Sequence, residues 1–411
     1  MSEQRYDLFS AVFKANPFPT FAALRADAPI YAHRSPNGKT IWYVTRYEDV
    51  VTVLKDNDHF CKDPRRALSD DARPRGKKLS VHQAINQNML FSDPPDHTRL
   101  RALVNQAFTP RRVEGMRVRV QQIADELLDG VAVHGKMDLI ADYALPLPVI
   151  VICDLLGIPA SDRETVSDWS QAIISPGSRG LNYKARRRKV RAFVAYLREL
   201  FAERQQHPQD DLITALVQAE EAGDRLSDME LSSMVALLLV TGHETTVNLI
   251  GNGVLALLQH SGQLELLKAG EVGWETAVEE LLRYDGPVET STTRWVAKDV
   301  TFRGHQMHKG DIMRVVLASA NRDVCQFERA DELDVTRIDK QHLSFGMGIH
   351  YCLGAPLARL EGAIALKTLF QRFPALQLAI PTDTLQWRSG VLFRGLERLS
   401  VQWRVMEDRF D

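Results

Sequence analysis

Along most of this chain apolar residues recur every three to four positions, the spacing that lines one face of an α-helix. The pattern predicts helices over 97–108, 112–133, 161–174, 184–206, 228–259 and 273–284, punctuated by proline or glycine at 110, 157, 159, 208, 286 and 287. Strand-like stretches are few and short. Two of them, 30–33 and 40–45, flank the turn SPNGK and predict a small hairpin, and strands return over 300–303 and 312–316. The expected fold class is therefore mainly α with a minor β part. No repeat, low-complexity tract or Gly/Ser linker interrupts residues 1–411. A single domain is the economical reading, with a small β-rich N-terminal part and a helix-rich remainder.

The helix over 228–259 follows Ser227, a good N-cap, with Glu230 three positions on as in a capping box. Its middle, LLLVTGHETTVNLI, sets Gly242, Glu244, Thr245 and Thr246 among apolar residues, where an acid and hydroxyls are costly to bury unless they have a task. Glycine beside threonine predicts a loosened backbone ladder at that point, because Thr hydroxyls compete for carbonyls. Further along, GNGVLA at 251–256 has the spacing of a dinucleotide-binding turn, but it lies inside a helical pattern rather than after a strand. It reads as small residues that let helices pack closely.

Composition narrows the function classes. With 411 residues, 45% of them hydrophobic, the chain can bury a large core. A net charge of −2 argues against general nucleic-acid binding, and the run KARRRKVR at 184–191 reads as a solvated helix face. The four cysteines stand in no paired spacing, which excludes a disulfide framework and a CxxC zinc site and predicts a reducing compartment. Cys61, Cys153 and Cys325 read as small buried hydrophobes. No basic segment followed by a long apolar stretch opens the chain, and the longest uncharged apolar run, 234–240, is far short of a bilayer span. The expectation is a cytoplasmic protein without a membrane anchor.

The fourth cysteine stands in a different setting. Residues 345–354 read FGMGIHYCLG, with Phe345, Gly346, Gly348, His350, Cys352 and Gly354 in fixed register. Six specified positions in ten arise by chance on the order of once in a hundred thousand chains of this length. The glycines permit a tight loop, and helix formers follow directly in APLARLEGAIALKTLF. Cys352 thus sits at a helix N-terminus, whose unpaired N–H groups favour a thiolate, a ready metal ligand.

On these residues the chain resembles the cytochrome P450 haem-thiolate monooxygenases, of the bacterial, soluble type fed by separate electron carriers. The resemblance implies the P450 fold, with its long central helix, and haem b held through Cys352 as axial ligand in the loop of Phe345, Gly346, His350 and Gly354. It makes Glu244 the acid that relays protons from solvent and Thr245 the alcohol that assists dioxygen activation. Where the family has Ala or Gly before the groove glycine, this chain has Thr241, a branched hydroxyl that narrows the groove or adds a hydrogen bond. His97 and Arg101 of DHTRLR, together with Arg294 and His350, correspond to the family's haem-propionate ligands. Glu280 and Arg283 of EELLRYDGP, one helical turn apart, match its ExxR pair, a structural tie to the cysteine loop. The third member of that triad is left open between Arg329 and Arg337.

The same resemblance draws a substrate pocket from 81–90, with His82, Asn88 and Leu90, from 173–179, with Ile174, and from Val240, Thr241, Val288, Glu289, Thr290, Leu392 and Phe393. It implies insertion of one oxygen atom from O2 into a lipophilic molecule: fatty acid, terpenoid, steroid or polyketide. Electrons would come from a ferredoxin or flavodoxin with its NAD(P)H-dependent reductase, docking near Arg111, Arg112 and Arg359, and the protein would work as a monomer. Two alternatives stand beside this: a peroxide-using haem-thiolate enzyme, and a non-catalytic haem sensor or carrier.

Overall fold

The computed structural model describes residues 6–35, 38–68, 85–174, 183–220 and 223–404, the side chains of Gln171, Ile174 and Tyr183 excepted. The chain divides into two compact units. One comprises Met1–Leu68, Val120–Leu147 and Thr245–Asp411; the other comprises Ser69–Arg119 and Pro148–Glu244.

The first unit holds every strand among the described residues. In chain order these are β1 Ile30–Arg34, β2 Thr40–Val44, β3 Phe60–Cys61, β4 Lys136–Asp138, β5 Arg294–Val296, β6 Val300–Phe302, β7 His305–Met307, β8 Ile312–Val315, β9 Gln377–Leu378 and β10 Ser400–Gln402. β1 and β2 form the expected hairpin, Ile30 opposite Val44 and Arg34 opposite Thr40. They extend into a five-stranded sheet of order β1-β2-β8-β5-β3, in which β2 and β8 run parallel. The two late strands expected from sequence do not pair with each other: β6 forms a two-stranded ribbon with β7, and β8 joins the larger sheet. Val44, Phe60, Val296, Met313 and Val315 project from that sheet into one core with Val50 and Leu54 of helix Tyr47–Lys55 and with Leu343. Helix Trp274–Asp285 packs on helix Ala355–Arg372, placing the ExxR element directly against the element that follows the cysteine loop.

The second unit is helical. Arg163–Ile174 packs on Tyr183–Gln206, which in turn packs on Leu212–Gln218, and the latter meets Asp96–Ala107. Arg204 and Asp211 pair in its interior at 2.5 Å with side-chain exposures of 3% and 5%. The basic run lies on Tyr183–Gln206. Arg186 turns inward and donates to the Ala172 carbonyl at 2.9 Å, Lys189 pairs with Asp168, and Lys184, Arg188 and Arg191 stay exposed.

Helix Asp228–Gln259 passes from the second unit into the first between Glu244 and Thr245. It opens with the expected capping box: Ser227 N–H donates to Glu230 Oε2 at 2.9 Å, and Glu230 N–H to Ser227 Oγ at 3.4 Å. By length and hydropathy this helix meets the requirement for crossing a bilayer, but 72% of its most apolar window is buried inside the protein. It is a core helix. The small residues of GNGVLA serve close packing: a Cβ on Gly251 would lie 2.7 Å from Ile140 Cδ1, and one on Gly253 would lie 3.3 Å from Leu281 Cδ1.

Three expectations are corrected. The helix over 112–133 is two helices, Pro110–Gly115 and Arg117–Val131, because Gly115 weakens the ladder where apolar periodicity alone does not register it. The long helix continues as α-helix through Gly242–Thr246, where the composition allowed for a break. There the Thr241 hydroxyl donates to the Leu237 carbonyl at 2.7 Å, using a second lone pair without displacing the helical bond. Cys325 is exposed rather than buried, whereas Cys61 and Cys153 lie in the interior, where burial pushes the Cys153 thiol up to about 12.

Candidate functional site: the cysteine loop and the acid–alcohol helix

The cysteine loop is built by its glycines. Gly346 and Gly348 take φ values of +68° and +76°, in the left-handed region that favours glycine. At Gly348 space is also short, since a Cβ would stand 2.9 Å from the Leu54 carbonyl oxygen. These turns let the Cys352 N–H reach back to the Phe345 carbonyl at 2.9 Å, so the cysteine closes the loop it belongs to. His350 lies in the 3-10 turn Gly348–His350, half-buried like Phe345 and Cys352. The following helix, Ala355–Arg372, starts after Gly354 as N-cap, with Pro356 in the first turn where its missing N–H is harmless.

The loop is fixed from three sides. Asn321 Oδ1 accepts from Leu343 N–H at 2.7 Å, Asn321 Nδ2 donates to Ser344 Oγ at 2.8 Å, and Ser344 Oγ donates to the Leu282 carbonyl at 2.6 Å. Arg359, one turn into the helix, places its guanidinium over the Phe345 ring at 4.5 Å and binds both oxygens of Glu279 at 2.6 and 2.9 Å. His342 reaches the same carboxylate at 3.3 Å. Burial pushes the Glu279 carboxyl up, but the bonds from His342 and Arg359 prevail and hold it at about 2. Arg359 is thus engaged within the fold while 36% of its side chain stays exposed. Arg112 leans on Asp210 at 3.3 Å, and Arg111 is exposed.

Next to Glu279, the Glu280–Arg283 pair is bidentate, at 2.7 and 2.8 Å, and almost wholly buried. Arg283 also donates to the carbonyls of Asn321, Ala330 and Glu332. The third cation is Arg337: its Nε meets Glu280 Oε2 at 3.1 Å with 9% of the side chain exposed. Arg329 instead faces Glu332 and Asp334. Arg294, fully buried on β5, directs its guanidinium at the carbonyls of Phe60 and Leu54 and at Asn57 Oδ1. Val288 and Phe393 sit opposite each other in an isolated antiparallel bridge; Glu289 N–H donates to the Leu392 carbonyl, and Thr290 Oγ1 to that of Val391. Glu289, expected in the pocket lining, is 2% exposed and turns to Lys14 at 2.6 Å.

In the second unit, His97 and Arg101 occupy one face of helix Asp96–Ala107. His97 is buried, and that burial, followed by the Arg101 charge, lowers its pKa against the opposing charge of Asp93. Val240 and Thr241 precede Glu244, which is 5% exposed: the acid faces the interior, not solvent. Thr245 follows it at a half-buried position. Leu90 is half-buried in the turn Met89–Phe91, held by Asn88 Oδ1, which accepts from Leu90 N–H at 3.1 Å. Residues 81–84, with His82, 175–179 and the side chain of Ile174 lie outside the described residues.

Chemically, the donor set suits a haem. One cysteine on a rigid, glycine-built loop is a fit ligand for iron, and Arg294 and His350 of the same unit have the cation and ring nitrogens that suit a carboxylate. Lys14, Asn321 and His342 had no periodic or motif signal to announce them, because their partners lie far away in sequence.

Comparisons with known proteins agree with this chemistry. The model of the family described as Cytochrome P450 matches residues 274–393, which include the whole cysteine loop. The polyketide biosynthesis cytochrome P450 PksS of Bacillus subtilis is 45% identical over 397 residues, 95% of this chain and 96% of its own. A myxobacterial cytochrome P450 solved in complex with myristic acid superposes with a TM-score of 0.89 at 42% identity, covering 97% of this chain and 98% of that one. A third, P450BioI in complex with an acyl carrier protein bearing hexadec-9Z-enoic acid, gives 0.85 at 39% identity, covering 96% and 100%. With nearly full-length kinship of this order added to a glycine-built cysteine loop and a buried acid beside a half-buried alcohol, the chain belongs to the cytochrome P450 family, as a haem-thiolate monooxygenase of lipophilic molecules.

Proposed function

We propose that this enzyme hydroxylates an acyl or polyketide-type chain, with haem b held by Cys352 and proton delivery through Glu244 and Thr245. The observation that carries the reading is the buried Glu244 beside Thr245 in the middle of an otherwise apolar helix. An ionisable group is retained in such surroundings at a cost, and here it stands one residue from a hydroxyl able to hand a proton onward. The acyl preference draws on the relatives named above and on the apolar character of Leu90, Val240, Val288, Leu392 and Phe393. Haem, when bound, supplies dioxygen activation and transfer of one oxygen atom to a C–H bond.

The chain's own groups divide the remaining work. Cys352 Sγ is the iron ligand, and the bonds around Leu343, Ser344 and Phe345 fix its position. By the family resemblance, Arg101, Arg294, His97 and His350 are the groups that would hold the haem carboxylates. Glu244 takes up a proton at its carboxylate and releases it toward the pocket, where the Thr245 Oγ1–H donates a hydrogen bond. The apolar lining excludes bulk water and orients the chain to be oxidised. Electrons come from a ferredoxin or flavodoxin with its reductase, and the protein acts in the cytoplasm, where the exposed thiol of Cys325 remains reduced.

Substituting Thr245→Ala tests the relay. Product formed per NAD(P)H consumed should fall roughly tenfold or more, with released peroxide making up the difference. Undiminished coupling in that variant would remove Thr245 from the relay. Turnover supported by peroxide but by no electron carrier would favour the peroxide-using alternative.

A further inference from the structure

The N-terminal helix Ala11–Ala15 carries a lysine with no part in the chemistry above, yet its ammonium is buried. Lys14 Nζ contacts Glu289 Oε2 at 2.6 Å, with 6% and 2% of the two side chains exposed, across 275 positions of sequence. A buried pair of this kind gives little net stability against apolar residues of the same volume, but it fixes geometry, and removing one partner is costly.

What the pair fixes is specific. Glu289 lies in the strip 287–290, which pairs with the strip 391–394 through Glu289 N–H to Leu392 O and Arg394 N–H to Pro287 O, at 2.9 and 3.0 Å. Arg394 completes the clamp from the other strip. Its Nη1 donates to the Lys14 carbonyl at 2.6 Å, its Nε binds Asp285 Oδ1 at 2.6 Å, and its guanidinium lies 3.7 Å from the Trp387 ring centre. Two cations and two carboxylates, all at most 13% exposed, therefore join helix Ala11–Ala15 to both strips at once. The crevice behind them, lined by Leu8, Phe13, Phe21 and Val316, has about 10 Å³ of free space, so at most one water can enter to relax the clamp. Burial raises the Glu289 pKa, and Lys14 and Arg394 oppose that rise.

We propose that Lys14 is a positioning residue for the substrate pocket: by gripping Glu289 from behind, it sets the placement of Val288, Thr290, Leu392 and Phe393. This rests on the pocket reading given under the proposed function. Lys14 is a determinant of what the enzyme binds although it lies outside the pocket lining.

The test uses holoenzyme and 4-phenylimidazole, an iron-ligating probe that must enter the pocket, read by the Soret shift. Lys14→Met should weaken its affinity about tenfold while the carbon monoxide difference spectrum stays that of the wild type; Lys14→Arg should bind as the wild type does. Lys14→Met/Glu289→Leu removes both charges, so it should regain thermal stability without regaining affinity, and it carries the test if the single variant does not fold. Wild-type affinity in Lys14→Met, or affinity recovered together with stability in the double variant, overturns the proposal and leaves the pocket reading intact. A wild-type enzyme with a normal Soret band that the probe fails to shift overturns both.

Discussion

A single added methyl group at Gly348 meets two obstacles at once. The backbone there has φ +76°, costly for any residue with a Cβ, and the methyl would press on the Leu54 carbonyl at 2.9 Å. Gly348→Ala should therefore destabilise the holoenzyme by about 1–3 kcal/mol and accelerate haem loss, measured by thermal unfolding and by transfer of haem to an apo-globin. An unchanged rate of haem loss would mean that the loop tolerates a wider turn. At this scale the sequence was most readable where chemistry is local. Gly346, Gly348 and Cys352 show their roles within a few positions, whereas the burial of Arg294 under Phe60 and Leu54 brings together parts some 230 residues apart, and no spacing encodes it.

Among the elements, long helices were legible because burial of one face repeats over many turns, and Asp228–Gln259 was read to its ends. Two-residue strands such as β3 and β9 are too short to display alternation, and exist only because a neighbouring strand supplies their partners. Between helices Trp274–Asp285 and Ala355–Arg372, Glu279 links His342 and Arg359 to the cysteine loop. A carboxylate held down at about 2 contributes stability that is fully present above its unfolded value of 4.5 and is lost as pH falls toward 2. Glu279→Gln should accordingly cost about 2 kcal/mol at pH 7, a figure reduced for solvent screening, with the deficit shrinking below pH 4.5. Urea titrations at several pH values check this; a deficit independent of pH would mean that shape rather than charge holds the loop.

For the molecule as a whole, the Glu280–Arg283–Arg337 cluster ties residues 280–283 to carbonyls at 321, 328–330 and 332. Loss of one cation leaves a carboxylate and several carbonyls short of a donor in the interior. Arg337→Leu should destabilise the holoenzyme by about 2–4 kcal/mol, and Arg337→Lys should recover only part, since a point charge cannot serve three acceptors in a fork. Equal stability of the leucine variant and the wild type would dismiss the cluster as a tie. The ExxR spacing disclosed two of its three members; Arg337 could be chosen over Arg329 only once the loop between them had a shape.

The parallel pairing of β2 with β8 also dictates how the chain is made. Residues 41–44 find their neighbours only when 312–315 have been synthesised. At 5–20 residues per second a ribosome needs roughly 13–55 s to add the intervening stretch. Throughout that interval the inner edge of the nascent hairpin, with Trp42 and Val44, offers unpaired N–H and C=O groups to any passing strand. Yield in a host cell should therefore be limited by protection of that edge during translation, and slowing initiation or cooling the culture should raise soluble yield more than stabilising the finished protein would.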